Sequence, residues 1–542
     1  MGANVRQRVA IVAMLLATSH AVGAQGTTTV PLGDPTYRDI DRLIDAGLVG
    51  AVIVGQRPYS RRLVQELAES ARQRLDAGQA HGAGQALARA AIRRILAREG
   101  TDSSTPTTSG LRWSPGAALR AEALVSDAPS RAVPSNGLGT VEADLNTLTD
   151  RRFGRRYVTG ANLALESDRW VELPGSLSLQ VIPRLHLART NGSGESSASI
   201  ELLTGSVRAV RGNASLSVGR EYTEWSPSEG GGLLFSRNAP PLNMVRIASD
   251  RPAVLPGVLG RLGATSATLQ VAELGQSVNN SHSLLVSYKA SVSPAPGLEL
   301  GGMFENHFGG SGAKHFSPLD RFIDFVPFID VFRRHPNATD VESDKLLGID
   351  ARLRIPQLAN VTVFSEVQLE DFDFHRLGSI FHQDAAYNSG VIIPALTPSV
   401  SAQLTYHTAG IRFYQHHLIT NGIASRRLLL GDDLGRDASG TDILVHWEHP
   451  SGASISANGA VERRRSDTYE GTDSTTGFVF RELAKGPVEW RRRAMLVAGW
   501  QPSEEHYALL IGAGAEQAAN VGFVAAPREL HGVATVALTI LR

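Results

Sequence analysis

From about residue 117 onward, apolar and polar residues alternate with a period of two, in runs of about ten residues. In Ser176 to Leu187 one face carries Leu177, Leu179, Val181, Pro183, Leu185 and Leu187, and the other carries Ser176, Ser178, Gln180, Ile182, Arg184 and His186. Leu347, Ile349, Ala351, Leu353 and Ile355 alternate with Gly348, Asp350, Arg352 and Arg354. Val361, Val363, Val367 and Leu369 then alternate with Thr362, Glu366, Gln368 and Glu370. Successive side chains of a strand point to opposite faces, so each run is a strand with one greasy and one wet side. A soluble sandwich turns the greasy side inward, and an outer-membrane barrel turns it toward lipid.

Turn lengths separate these two. Short connections at 294–297, 356–360, 450–452 and 502–505 alternate with long ones at 309–343, 371–384, 465–487 and 518–530. That alternation is the mark of a barrel with short inner turns and long outer loops. Ten strands are expected from near 298 to the end, and eight upstream, near 117, 138, 156, 176, 197, 213, 262 and 283. The total is eighteen, an even number that closes with both ends on one side. The stretch 221–261 receives no strand and reads as a plug, a long loop or an extra hairpin. The expected fold is therefore all-β, a closed antiparallel outer-membrane barrel, with a small helical segment before it.

The N-terminal residues supply the compartment. Arg6 and Arg8 precede an apolar run at 9–17, and Val22-Gly23-Ala24 offers small residues for cleavage. This pattern is an export signal, expected over 1–24. Residues 25–110 read as a periplasmic helical segment with a polar linker at 101–109, and 111–542 as the barrel. Asp34-Pro35 starts one helix, with Tyr37, Ile40, Leu43 and Ile44 on a stripe. A second begins near Ser60 with Leu63, Leu67, Ala71 and Leu75, and a third covers 83–98. No later run is long enough to cross a bilayer as a helix.

Fifty-three Lys and Arg balance fifty-three Asp and Glu, which argues against a nucleic-acid partner. The absence of Cys removes disulfides, thiolate metal sites and cysteine nucleophiles. There is no Gly-x-Ser-x-Gly elbow, zinc-protease motif, P-loop or dinucleotide motif. His446 and His449 are three apart, so on a strand they face opposite ways. The expected role is binding rather than catalysis, with no cofactor and no metal.

Asp350, Arg352, Arg354, Glu366 and Glu370 share the inward face across one tight turn. They read as a charge ladder that fills the interior, with a channel lining as the alternative. The long loops carry aromatic and charged residues together. Asp371, Phe372, His375, Arg376, His382 and Tyr387 form one set, and Phe316, Phe322, Phe325, Phe328 and Phe332 another. Aromatic faces and charged forks suit sugar rings and hydroxyls, although loop minicores use the same residues.

Asp34 to Arg61 resembles the helical lead-in of the Wzi family of capsule-assembly outer-membrane proteins. Gly219-Arg220, Trp225-Ser226-Pro227 and the run Leu233 to Pro241, with Ser236, Asn238 and Pro240, are similar to that family's Gly-Arg, Trp-Gly-Pro and Leu-Ser-Asn-Asn-Ala-Arg-Pro block. Phe364-Ser365-Glu366, Glu370-Asp371, Tyr414 to His417, Asn421-Gly422-Ile423 and Leu430-Gly431 follow in the family's order. Ser226 stands where the family tends to have Gly, Arg237 where it tends to have Asn, and the chain ends Ile540-Leu541-Arg542 without an aromatic residue. The resemblance implies an eighteen-stranded barrel that holds capsular polysaccharide. Its expected partners are outer-membrane lipid, a surface polysaccharide and the barrel-insertion machinery. A channel for small polar solutes is the first alternative, and an envelope hydrolase the second.

Overall fold

The computed structural model describes residues 27–540, apart from 51, 79–83, 100–111, 115–117, 229, 314–342, 371–376, 417–418, 475–476 and 503–506. The export signal, the linker and the phenylalanine cluster of 316–332 lie outside the described residues.

Eighteen antiparallel strands close into a ring. They are β1 (Ala118–Ser126), β2 (Gly160–Glu172), β3 (Leu177–Thr190), β4 (Ser196–Arg211), β5 (Ala214–Glu221), β6 (Leu242–Ser249), β7 (Ala264–Glu273), β8 (Leu284–Ala295) and β9 (Leu298–Phe308). The second half is β10 (Ser343–Ile355), β11 (Val361–Glu370), β12 (Ala385–Thr397), β13 (Val400–Ala409), β14 (Ala438–Glu448), β15 (Ala453–Arg464), β16 (Glu489–Trp500), β17 (Tyr507–Ala519) and β18 (Glu529–Ile540). Each strand pairs with the next, and β18 returns to β1 in a register running from Leu119 opposite Ile540 to Ser126 opposite Val533.

The polarity is that of a membrane barrel. Leu163, Val181, Ile247, Ile349, Leu404, Ile443, Leu496, Ile511 and Val536 are exposed on the outer wall. Ser178, Arg184, Gln180, Lys289, Glu366 and Glu516 are buried inside. Among the described residues no second sheet covers the greasy face, so lipid is the solvent that this pattern demands.

Two positions in the strand count change, and they cancel. The strand expected near 138 is absent. Val141, Ala143 and Leu145 do alternate with polar residues, but they are buried against inserted loops within the lumen. There Glu142 and Asp144 donate their backbone N–H groups to the Asn421 and Arg427 carbonyls, at 3.0 and 2.9 Å. Alternation reports a two-faced extended chain and does not say which surface covers it. The strand missing from the expected set is β6, inside the unassigned 221–261 stretch. Its greasy outward residues are only Val245 and Ile247, too few for a clear pattern.

The helices sit at the short-turn end. α1 (Thr36–Asp45), α2 (Arg61–Asp76) and α3 (Gly84–Glu99) bury the apolar stripes expected of them. Asp34 accepts the Thr36 N–H at 2.8 Å, and the Ser60 hydroxyl accepts the Leu63 N–H at 3.2 Å, so each side chain satisfies a donor at a helix start. Ile182, Leu203 and Tyr222 belong to the same core as the helices. Arg42 pairs with Glu448 at 2.8 Å, and Arg61 bridges Glu99 and Asp168 at 2.7 and 2.8 Å. Glu299 accepts the Val54 and Gly55 N–H groups, each at 2.8 Å.

Candidate functional site

Three connections from the long-loop end, 127–159, 222–241 and 410–437, fold into the barrel and fill it. Their shared core holds Trp225, Leu233, Leu234, Phe235, Phe413, Tyr414, Ile423 and Leu430, all buried. Trp225 and Phe235 face each other across a short antiparallel bridge, with ring centroids 5.0 Å apart at 83°. The Tyr414 hydroxyl donates to the Leu233 carbonyl at 2.5 Å and accepts the Asp432 N–H at 2.7 Å.

The family-like block is the centre of this plug. Ser236 accepts the Asn238 N–H at 2.9 Å, and its hydroxyl donates to the Gly431 carbonyl at 2.5 Å. The Asn238 amide donates to the Leu429 carbonyl at 3.0 Å. Pro240 packs against Gly154, where φ is +63° and a Cβ would sit 2.2 Å from the Pro240 Cα. The Ser226 hydroxyl lies 2.9 and 2.6 Å from the Ser228 and Gly231 carbonyls, so this departure from the family block closes its own loop. Arg237 pairs with Glu224 at 3.1 Å and lies over Phe153, 5.6 Å from the ring centre. Gly219 takes φ +139° at the end of β5, where a Cβ would approach the Gly205 carbonyl to 2.2 Å.

The ladder residues reach inward to hold these pieces. Asp350 stands opposite Glu366 in register, and Arg352 opposite Phe364, so the two strands do not neutralise one another. Lys289 instead meets Asp350 at 2.6 Å, with both side chains buried. Glu366 accepts the Leu233 N–H at 3.1 and 3.2 Å, and Arg352 donates to the Pro227 carbonyl at 3.0 Å. Arg354 donates to the Ile44 carbonyl of α1 at 2.8 Å. Glu370 is buried where β11 ends, its N–H on the Asp384 carbonyl at 2.9 Å. A buried carboxylate or guanidinium needs such partners, and here backbone groups of the plug supply several of them. A cavity of about 450 Å³ remains between α1 and the inserted 148–153 segment.

Arg220, Arg156 and Arg426 come together at the long-loop rim. Arg220 lies near the end of β5, Arg156 just before β2, and Arg426 in the third inserted loop. Arg426 reaches Glu201 at 3.1 Å, and Glu201 also takes Arg184 at 2.6 Å. Arg156 is exposed and pairs with no carboxylate among the described residues. Partial burial and then the neighbouring Arg426 charge lower its pKa. Arg220 makes one weak bond, 3.4 Å to the Asn243 side chain, and its other terminal nitrogen is buried without a partner. Arg156 and Arg220 each therefore feel the Arg426 charge with too few acids between them. Such a site gains from an incoming anion. Arg156 and Arg426 stood outside the residues singled out from sequence, because single arginines in long loops carry no pattern.

Of the loop residues singled out from sequence, Asp371, Phe372, His375 and Arg376 lie outside the described residues. His382 is exposed on a short helix, Leu377–Gln383. Tyr387, on β12, packs with Leu369 and Ile380 and donates its hydroxyl to the Phe381 carbonyl at 2.6 Å. The structure does not gather His382 and Tyr387 with the arginine rim. Among the described residues no cluster of His, Asp and Glu suits a metal ion.

Comparison with known proteins agrees with this architecture. The capsule assembly protein Wzi family model matches residues 134–521. Among solved structures, Escherichia coli Wzi, an outer-membrane protein involved in group 1 capsule assembly and described as a carbohydrate-binding β-barrel, superposes with TM-score 0.64. It is 15% identical, over 94% of this chain and 99% of that one. Pseudomonas aeruginosa OccK11 (OpdR) is 13% identical over 79% of this chain and 96% of that one, with TM-score 0.42. No match is found among curated protein sequences. The family match takes in most of the wall and nearly all of the three inserted loops, and with a closed ring greasy on its outside the chain belongs to the Wzi capsule assembly family and lies in the outer membrane.

Proposed function

We propose that this barrel holds an anionic surface polysaccharide at its outer face during capsule assembly or attachment, and that its role is binding rather than catalysis. The observation that carries the reading is the under-neutralised rim, where Arg156 and Arg220 lack acidic partners among the described residues. Guanidiniums take carboxylates or phosphates through paired N–H groups, so a polymer bearing uronate or acidic substituents fits them. The filled lumen favours surface capture over passage. The segment with Asp371, Phe372, His375, Arg376, His382 and Tyr387 joins strands at the same end, and we assign it a second, sugar-stacking contact.

Affinity electrophoresis of the purified barrel tests the rim, with alginate as a polyuronate and dextran as a neutral control. Alginate should retard the wild type and dextran should not. The Arg156→Gln, Arg220→Gln double variant should migrate freely in both. Equal retardation of variant and wild type sinks the rim assignment. Retardation lost only in Phe372→Ala, His375→Ala, Tyr387→Ala would move the site to that loop.

A further inference from the structure

β16 measures the membrane against itself. Its outward positions are Trp490, Arg492, Ala494, Leu496, Ala498 and Trp500. Trp490 adjoins the long 465–488 connection, and Trp500 the short 501–506 turn. Both indoles are exposed, and Trp500 meets Tyr507 edge-on at 5.6 Å. Ten residues at about 3.4 Å each, tilted by about 40°, span about 25 Å, the height of an apolar band between two aromatic girdles. Arg492 is therefore one outward step inside the outer girdle.

Arginines on the two faces of this wall are treated differently. Inward, Arg491 meets Glu516 at 2.5 Å, Arg493 meets Glu462 at 3.2 Å, and Arg464 meets Glu462 at 3.1 Å. Outward, neither Arg463 nor Arg492 has a hydrogen bond or an ion pair among the described residues. Arg463 lies over the Trp490 ring, 5.7 Å from its centre, and its Nε is buried without a partner. In register Arg463 stands opposite Trp490, and Arg492 opposite Val461, which places the two arginines diagonally on neighbouring strands. Their other lateral neighbours are Ser439 and Gln517, so no carboxylate flanks them. Diagonal neighbours lie about 7–8 Å apart, a gap that long side chains close.

A guanidinium on the lipid face is tolerable near the headgroups because it snorkels toward them. Two guanidiniums and an indole, with no protein anion paired to them among the described residues, present a site for one anionic headgroup at the outer girdle. We propose that Arg463, Trp490 and Arg492 grip the phosphate of an outer-leaflet glycolipid on the wall of β15 and β16. The indole packs on the sugar or acyl shoulder, and the guanidiniums take the phosphate oxygens. This site is separate from the arginine rim and does not depend on the polysaccharide reading.

Native mass spectrometry of the purified full-length barrel tests the proposal, with bisphosphorylated lipid A and its dephosphorylated form as probes. Wild type should retain the phosphorylated lipid and release the other at lower collision energy. Arg463→Gln with Arg492→Gln should weaken retention at least about tenfold. Should the double variant fail to insert, Arg492→Gln alone serves, since its side chain has no partner to lose among the described residues, and a loss of about fivefold is expected. Equal retention by variant and wild type overturns the proposal, and so does equal retention of the two lipids by wild type.

Discussion

Glu366 on β11 and Leu233 in the second inserted loop are joined through a single carboxylate, whose two oxygens accept one backbone N–H at 3.1 and 3.2 Å. Wall and plug are thus connected by one buried carboxyl group where neither partner meets water.

Glu366→Ala should loosen the plug. It strands a buried N–H and removes the partner of Gln368, whose side-chain amide lies 2.9 Å from Glu366 Oε1. An unsatisfied buried donor costs about 1–3 kcal/mol, so the urea midpoint should fall. Glu366→Gln, which keeps one acceptor, should lose less. If both variants unfold at the wild-type midpoint, the carboxylate is not what holds the loop.

Tyr414→Phe should be as damaging as many cavity-forming changes, although it removes a single oxygen. That oxygen serves the Leu233 carbonyl and the Asp432 N–H together. Losing it leaves two buried groups unpaired, worth about 2–4 kcal/mol in sum. Thermal unfolding in detergent measures this.

Acid should weaken the third loop through Asp432. Burial pushes its carboxyl up, but His407 at 2.6 Å more than offsets this and holds it down to about 2. A carboxyl with a native pKa below its unfolded value near 3.9 stabilises the fold above pH 4, and that contribution fades as pH drops toward 2. The melting temperatures of wild type and Asp432→Asn should therefore differ most above pH 5 and converge near pH 2. A constant difference across that range would refute the linkage.

Arg42→Ala should undock α1. It strands Glu448, which is buried and otherwise held by His446 at 3.0 Å. Breaking a buried pair from one side costs about 3–5 kcal/mol. Limited proteolysis of the 45–60 segment should speed up, while the wall itself stays resistant.

In planar bilayers the wild-type barrel is expected to be silent, because three loops fill its interior and the helical segment packs at its short-turn end. Discrete openings at low voltage would revive the channel reading.

The wall was legible in the sequence because lipid and lumen impose opposite chemistry on alternate residues, as in Leu347 to Ile355. The helices were legible from Leu63, Leu67, Ala71 and Leu75. The plug was harder. Residues 138–148 alternate like a strand although the surface covering them is another loop, and β6 shows too little greasy surface to declare itself. The ladder could be placed on the inner face, but its partners could not be read, because Glu366 and Leu233 are 133 positions apart. The rim suffers the same limit, since Arg156, Arg220 and Arg426 meet only once the loops have folded.

The pairing of β18 with β1 has a consequence for biogenesis. Until residues 529–540 arrive, the nascent sheet has two raw margins, each a row of unanswered amides and carbonyls. Hydrocarbon cannot satisfy them. Sealing therefore waits on β18, and anything that shelters the open seam must remain until that strand zips onto β1.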